Sequence, residues 1–197
     1  MNHTINPRNK LKAWRFWLPL TVQAALIILI PLQSAIIYTT GTAVTLKTIP
    51  VDPYDLLRGY SQTLRYEISR AETLAQVSGG QDIFQDDYNP EKQNVYVTLQ
   101  SPGISENQAW EPIQVSRDRP QSLPKNQLVL KGQYQGRRIL YGLETYYMPE
   151  QQRDQINDHI RQVQRDQNQS FLVDIKVNGN GKGVPVSLWV GDRKYQF

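Results

Sequence analysis

Arg58, Arg65, Glu67 and Glu144 are the residues of this 197-residue chain whose types could support a metal-independent hydrolysis, gathered with Glu150 beside a helix start after Pro149. Ser61 and Lys131 offer a second chemistry, a Ser–Lys dyad. The Ser-x-Met-x-Pro context of such dyads is missing, and nothing around Lys131 argues for the desolvation that would lower its pKa. Only two histidines exist, His3 and His159, and there is no cysteine, which excludes a conventional His/Cys zinc site. A Ser-His-Asp triad would have to recruit His159, but no G-x-S-x-G turn accompanies it, so His159 reads as a solvated helix residue. Asp82, Asp86, Asp87 and Glu91 bring oxygen ligands without EF-hand spacing and read as a solvated loop. No phosphate-cradling glycine motif is present, and neither a cofactor nor a metal is expected.

The charge is distributed unevenly. Of 22 Lys+Arg against 18 Asp+Glu, four basic residues (Arg8, Lys10, Lys12 and Arg15) stand in residues 1–15 with no acid. Residues 16–197 are therefore neutral overall, and the formal +4 belongs entirely to the N-terminal arm. A nucleic-acid binder would carry a basic face on its folded part, so no nucleic-acid partner is expected.

From Phe16 to Leu46 no residue is charged, and the apolar run Phe16–Ile37 is long enough to cross a hydrocarbon core about 30 Å thick as a helix of roughly 20 residues. The expected organisation is a cytoplasmic basic arm (1–15), a transmembrane helix (16–38) and an extracytoplasmic domain (41–197). The basic arm sets that orientation, and Trp14, Phe16, Trp17 and Tyr38 fall at the two interfaces. The run exceeds the apolar part of a cleaved secretory signal, so an uncleaved anchor is expected. Pro31 removes one helical hydrogen bond. Gln23 and Ser34, eleven residues and about three turns apart, share a face with Ile27 and Ile30, which is expected to meet a partner helix.

The remainder must supply the elements that would position the polar groups. Without disulfides the exterior domain depends on an apolar core, and period-two alternation supplies one. One strand is expected over 60–68, with Tyr60, Gln62, Leu64, Tyr66 and Ile68 on one side. Others are expected at 95–99, 171–177 and 184–190, and around 43–49, 111–117, 127–134 and 138–147. Asn178–Gly183 and Gly191-Asp192 read as hairpin connections, making the last three strands an antiparallel meander. Ser69 is expected to cap a helix ending at Gly79-Gly80, Asp52-Pro53 to open a short turn stopped by Gly59, and Ile156, Ile160 and Val163 to form the apolar stripe of a surface helix after Pro149. The fold class is mainly β (α+β).

Asp52-Pro53-Tyr54-Asp55-Leu56-Leu57-Arg58, followed by Gly59, Leu64 and Tyr66, resembles the bacterial membrane-anchored family named for its GDYXXLXY motif. The motif's Asp and first Tyr are Tyr60 and Ser61 here, so no role for that acid carries over. Val95–Leu99, then Lys131-Gly132, then Tyr141-Gly142-Leu143-Glu144-Thr145-Tyr146-Tyr147-Met148-Pro149-Glu150, is similar to a later segment of the family in the right order. The resemblance covers roughly residues 45–197. It implies one N-terminal anchor and a β-rich exterior domain of unknown biochemical role, of a kind often considered alongside polytopic membrane proteins, and it supplies no catalytic residues.

These readings converge on a non-enzymatic single-pass protein of the bacterial inner membrane, in contact with membrane lipid and binding another membrane or envelope protein. The alternatives are the hydrolase at Arg58, Arg65, Glu67 and Glu144, and an acidic-ligand binder at Arg137-Arg138.

Overall fold

The computed structural model of the chain describes residues 10–49, 61–84, 89–103, 108–147, 153–165 and 171–196. Helix α1 (Lys10–Thr40) runs unbroken through Pro19 and Pro31. Its stretch Trp14–Thr40 is long and apolar enough to cross a membrane. Nearly all of it is exposed, Ile30 at 77%, which is what a helix with no protein around it and an apolar surrounding would show. Gln23, Ile27, Ile30 and Ser34 are all exposed. Only the last turns touch the domain, where Ile37 is buried.

The helix passes into the first strand with no linker. Gly41 N–H donates to the Ile37 carbonyl at 2.8 Å, and strand β1 (Thr42–Ile49) begins at the next residue. A Cβ on Gly41 would lie 2.5 Å from the Ile37 oxygen and 3.0 Å from Val177 N, so the junction admits no side chain.

Strands β2 (Ser61–Thr63) and β3 (Arg65–Tyr66) follow, then a 3-10 turn (Glu67–Ser69), α2 (Ala71–Leu74) and α3 (Gly80–Phe84). Strands β4 (Asn89–Gln100), β5 (Glu111–Ser116), β6 (Gln127–Gly136), β7 (Arg138–Leu140) and β8 (Thr145–Tyr147) precede α4 (Arg153–Arg165). Strands β9 (Phe171–Val177), β10 (Gly183–Val190) and β11 (Arg193–Gln196) end the fold. These make a five-stranded sheet in the order β11-β10-β9-β1-β3, a four-stranded sheet β5-β4-β6-β7 and a two-stranded β2-β8 ribbon. Every strand pairing is antiparallel. The alternation drives this arrangement. Val44 and Leu46 of β1, with Phe171, Val173, Ile175 and Val177 of β9, enter one core with Val95, Val97 and Leu99 of β4. As anticipated, α4 buries Ile156, Ile160 and Val163 in the same core, and the last three strands form a meander.

Four expectations need correction. The strand expected over 60–68 breaks at Leu64, because β2 pairs with β8 while β3 pairs with β1; Leu64, Tyr66 and Ile68 nevertheless share the buried side. The strand expected over 138–147 is two strands, separated by a turn at Gly142. Ser69 caps no helix: Arg70 occupies the N-cap of α2, the Ser69 hydroxyl is buried without a partner, and Gly80 opens a helix where one was expected to end. In β10 a bulge between Pro185 and Ser187 breaks the alternation, so Leu188 and Val190 are buried while Val184 and Val186 stay part-exposed.

Candidate functional site

The two stretches that carried the family resemblance meet. Strand β2 lies against β8 with Ser61 opposite Tyr147, Gln62 opposite Tyr146 and Thr63 opposite Thr145. At the strand switch, Leu64 N–H donates to the Glu144 carbonyl at 2.7 Å. The backbone of the first motif is thereby zipped to that of the second.

Two phenols lock the junction. Tyr66, fully buried, donates its hydroxyl to the Leu143 carbonyl at 2.8 Å. Tyr141 donates its hydroxyl to the Ile68 carbonyl at 2.6 Å, so each motif holds a main-chain acceptor of the other. Glu144 folds back to accept the Tyr141 amide N–H at 2.6 Å, closing a turn in which Gly142 adopts φ +74°. Gly132 of β6 leaves room for this turn: a Cβ there would stand 2.3 Å from Ile139 Cγ2 and 3.0 Å from the Tyr141 ring.

Burial first, and the Glu144 charge second, push the ionisation of both Tyr66 and Tyr141 far above the ordinary phenol value. Both are therefore neutral donors, and neither is a nucleophile or a base near neutrality. Removing the Tyr141 hydroxyl (Tyr141→Phe) leaves the Ile68 carbonyl unpaired in the interior and should cost about 1–2 kcal/mol. Tyr66→Phe should cost a similar amount, and the double variant less than the sum if the two bonds hold one junction. Denaturant titration of the four proteins measures that coupling, and strict additivity would refute the shared lock.

Two of the charged residues proposed for hydrolysis, Glu67 and Glu144, have other partners. Lys47 Nζ lies 3.3 Å from Glu67 Oε2, Arg65 is exposed, and Glu144 serves the Tyr141 amide. Lys131 Nζ stands over the Tyr96 ring, 6.0 Å from its centroid, in a strand as expected. Asp52, Pro53, Asp55, Arg58, Gly59, Pro149 and Glu150 lie outside the described residues, as do the turn expected at 53–58 and Asp86 and Asp87 of the acidic stretch. Among the described residues, no three His, Cys, Asp or Glu side chains come together in a way that could hold a metal ion.

A model of the GDYXXLXY protein family matches residues 23–188. The chain belongs to this family. The match takes in α1 from residue 23 onward, both motifs and the strands from β1 into β10, so the C-terminal part of the apolar helix and most of the domain fall within one family match. No curated protein and no solved structure matches it. Within the GDYXXLXY domain, the motif's Leu and final Tyr are core and lock, while Ser61, at the motif's first Tyr, sits in the β2-β8 ribbon.

Two arrangements were not anticipated. His159 is part-buried and has a partner: its Nδ1 is 2.8 Å from the Tyr195 hydroxyl, joining α4 to β11. On the sheet face away from the core, Asp174 accepts from Thr45 (2.8 Å), Ser187 (2.7 Å), Trp189 Nε1 (2.8 Å) and Lys194 (2.9 Å), drawing together β1, β9, β10 and β11. Burial pushes the Asp174 carboxyl up, but the bonds from Lys194, Trp189, Ser187 and Thr45 outweigh it, and its pKa lies below the ordinary carboxylate value. The polar, outward parity of Asp174 in β9 was the available signal.

Proposed function

We propose that this chain is a non-enzymatic, single-pass membrane protein of the bacterial inner membrane whose exterior GDYXXLXY domain serves as a binding or accessory module for another membrane or envelope protein. The observation that carries this reading is how the motif residues are used. Leu64 N–H bonds the Glu144 carbonyl, the Tyr66 and Tyr141 hydroxyls bond the Leu143 and Ile68 carbonyls, and the Glu144 carboxylate closes the turn at Gly142, so the motif residues build a shape and a fixed junction. Membership of the family over residues 23–188 supports treating helix and domain together. The exposed apolar surface of α1, preceded in the sequence by Arg8, Lys10, Lys12 and Arg15, supports an anchor with its basic end in the cytoplasm.

The partner is engaged through the bilayer as well as outside it. Gln23 lies near mid-helix with an exposed side chain, and a carboxamide in hydrocarbon is favoured when another helix supplies its hydrogen bonds. Capture of partners by the tagged full-length chain from detergent extracts, beside the Gln23→Leu/Ser34→Leu variant, tests this. The expected result is a stable partner for the parent chain and a several-fold loss for the variant. Equal recovery with both would remove the helix face from the interface, and no partner with either would remove the interaction reading.

A further inference from the structure

The lower end of the domain reaches back along the helix. Val177 pairs with Thr42 at the start of β1, and the chain continues past that point as the Asn178–Lys182 turn. Lys182 Nζ then donates to Gln33 Oε1 at 3.2 Å, nine residues before Thr42 and so about 13 Å down a helix. Gln196 Nε2 likewise donates to the Tyr38 hydroxyl at 3.2 Å. The turn is polar and built on its own backbone, with Asn178 Oδ1 accepting the amides of Asn180 and Lys182 at 3.0 Å each.

A segment of this composition does not enter hydrocarbon. If α1 crosses a bilayer, as proposed above and as this inference requires, the apolar layer must end below Gln33. Trp14–Leu32 remains, 19 residues and about 28 Å of helix, against a core of about 30 Å. The span is then shifted toward the N-terminus relative to 16–38, with Trp14 and Trp17 at one boundary and the hairpin at the other. Within the hairpin segment itself the charges have one sign. Residues 176–182 contain Lys176 and Lys182 and no acid, and the Arg119 guanidinium donates to the Gly179 carbonyl at the tip. Asp118 is the acid next in sequence to Arg119, and its backbone carbonyl accepts from the Ser116 hydroxyl.

We propose that the β9-β10 hairpin is a membrane-surface contact, with Lys176, Lys182 and Arg119 meeting the phosphates of anionic lipid headgroups. Each such cation within a Debye length of an anionic surface favours contact about fivefold. The chain has no cysteine, so single cysteines place spin labels uniquely. The full-length protein, in vesicles of phosphatidylethanolamine and phosphatidylglycerol, is labelled at Asn180→Cys in the hairpin, Asp192→Cys in the turn at the other end of β10, and Ile27→Cys in mid-helix. The hairpin label should be several-fold less accessible to an aqueous nickel chelate than the Asp192 label, and Lys176→Gln/Lys182→Gln should restore most of that accessibility. Equal accessibility at Asn180 and Asp192, with Ile27 in hydrocarbon, overturns the docking while leaving the span intact. Shielding that ignores the lysine changes overturns recognition of the phosphates. A water-exposed Ile27 label overturns the membrane reading itself.

Discussion

Gly132→Val should cost the domain about 3 kcal/mol and lower its thermal midpoint by roughly 6–12 °C. Gly132 lies in β6, where valine is locally a better strand former than glycine, so propensity predicts the opposite sign. Space decides it. An added Cβ would come 2.3 Å from Ile139 Cγ2, inside any distance real atoms adopt, and 3.0 Å from the ring of Tyr141, whose hydroxyl holds the Ile68 carbonyl. The clash thus acts on the junction between the two motifs as well as on the core. Gly179→Ala is the control, since a Cβ there meets nothing within 4 Å and should change stability by no more than about 0.5 kcal/mol. Thermal melts of the full-length protein in detergent, followed by a β-sheet signal, compare the three. A Gly132→Val protein as stable as the parent would show that Tyr141 is free to move, and the lock would lose its basis.

Asp174→Ala should be about as damaging, near 3 kcal/mol, through a different mechanism. Four donors converge on this carboxylate, and among them the Ser187 side chain is fully buried. Alanine leaves the buried Ser187 hydroxyl with no acceptor and removes the shared acceptor of the other three. Asp174→Asn keeps one oxygen and should lose about half as much. The folded carboxyl titrates below its ordinary value of 3.8, so its stabilisation is present above that value and disappears as pH falls through 3.8 toward the folded pKa. The gap in thermal midpoint between parent and Asp174→Asn should therefore be constant from pH 5 to 7 and shrink below pH 4. A gap that widens on acidification would reverse the assigned sign.

Much of the domain was legible in the alternation of single segments. β1, β5, β6 and β9, the α4 stripe and the terminal meander all follow from local pattern, because each side chain's face is fixed by its own strand or helix. What was not legible depends on partners far away in the chain. Nothing in Gln62-Thr63-Leu64-Arg65 announces that the strand changes sheets at Leu64, since the partner it leaves, β8, and the partner it joins, β1, both lie far from it in the chain. His159 looks like any polar helix residue until Tyr195 is placed beside it. Asp174 was legible as outward-facing, but the convergence of Thr45, Ser187, Trp189 and Lys194 on it needs the β9-β10 register, including the bulge at Pro185. The motif residues were read as turn and core. The structure adds that Tyr66 and Tyr141 are reciprocal donors, a relation that spacing in one dimension does not contain.

The uninterrupted passage from Thr40 through Gly41 to Thr42 makes helix and sheet a single lever. A flexible tether would let the domain sample every orientation above a bilayer. Here Gly41 is wedged between Ile37 and Val177, and the hydrogen bonds from Lys182 to Gln33 and from Gln196 to Tyr38 brace the domain against the helix. If α1 spans a bilayer as proposed, a tilt that hydrophobic mismatch gives the helix is passed on to the sheet. In the anchored arrangement proposed above, a thinner bilayer would lean the helix further and swing the far edge of the domain with it, so the thickness of the lipid around the stem would set where the domain points.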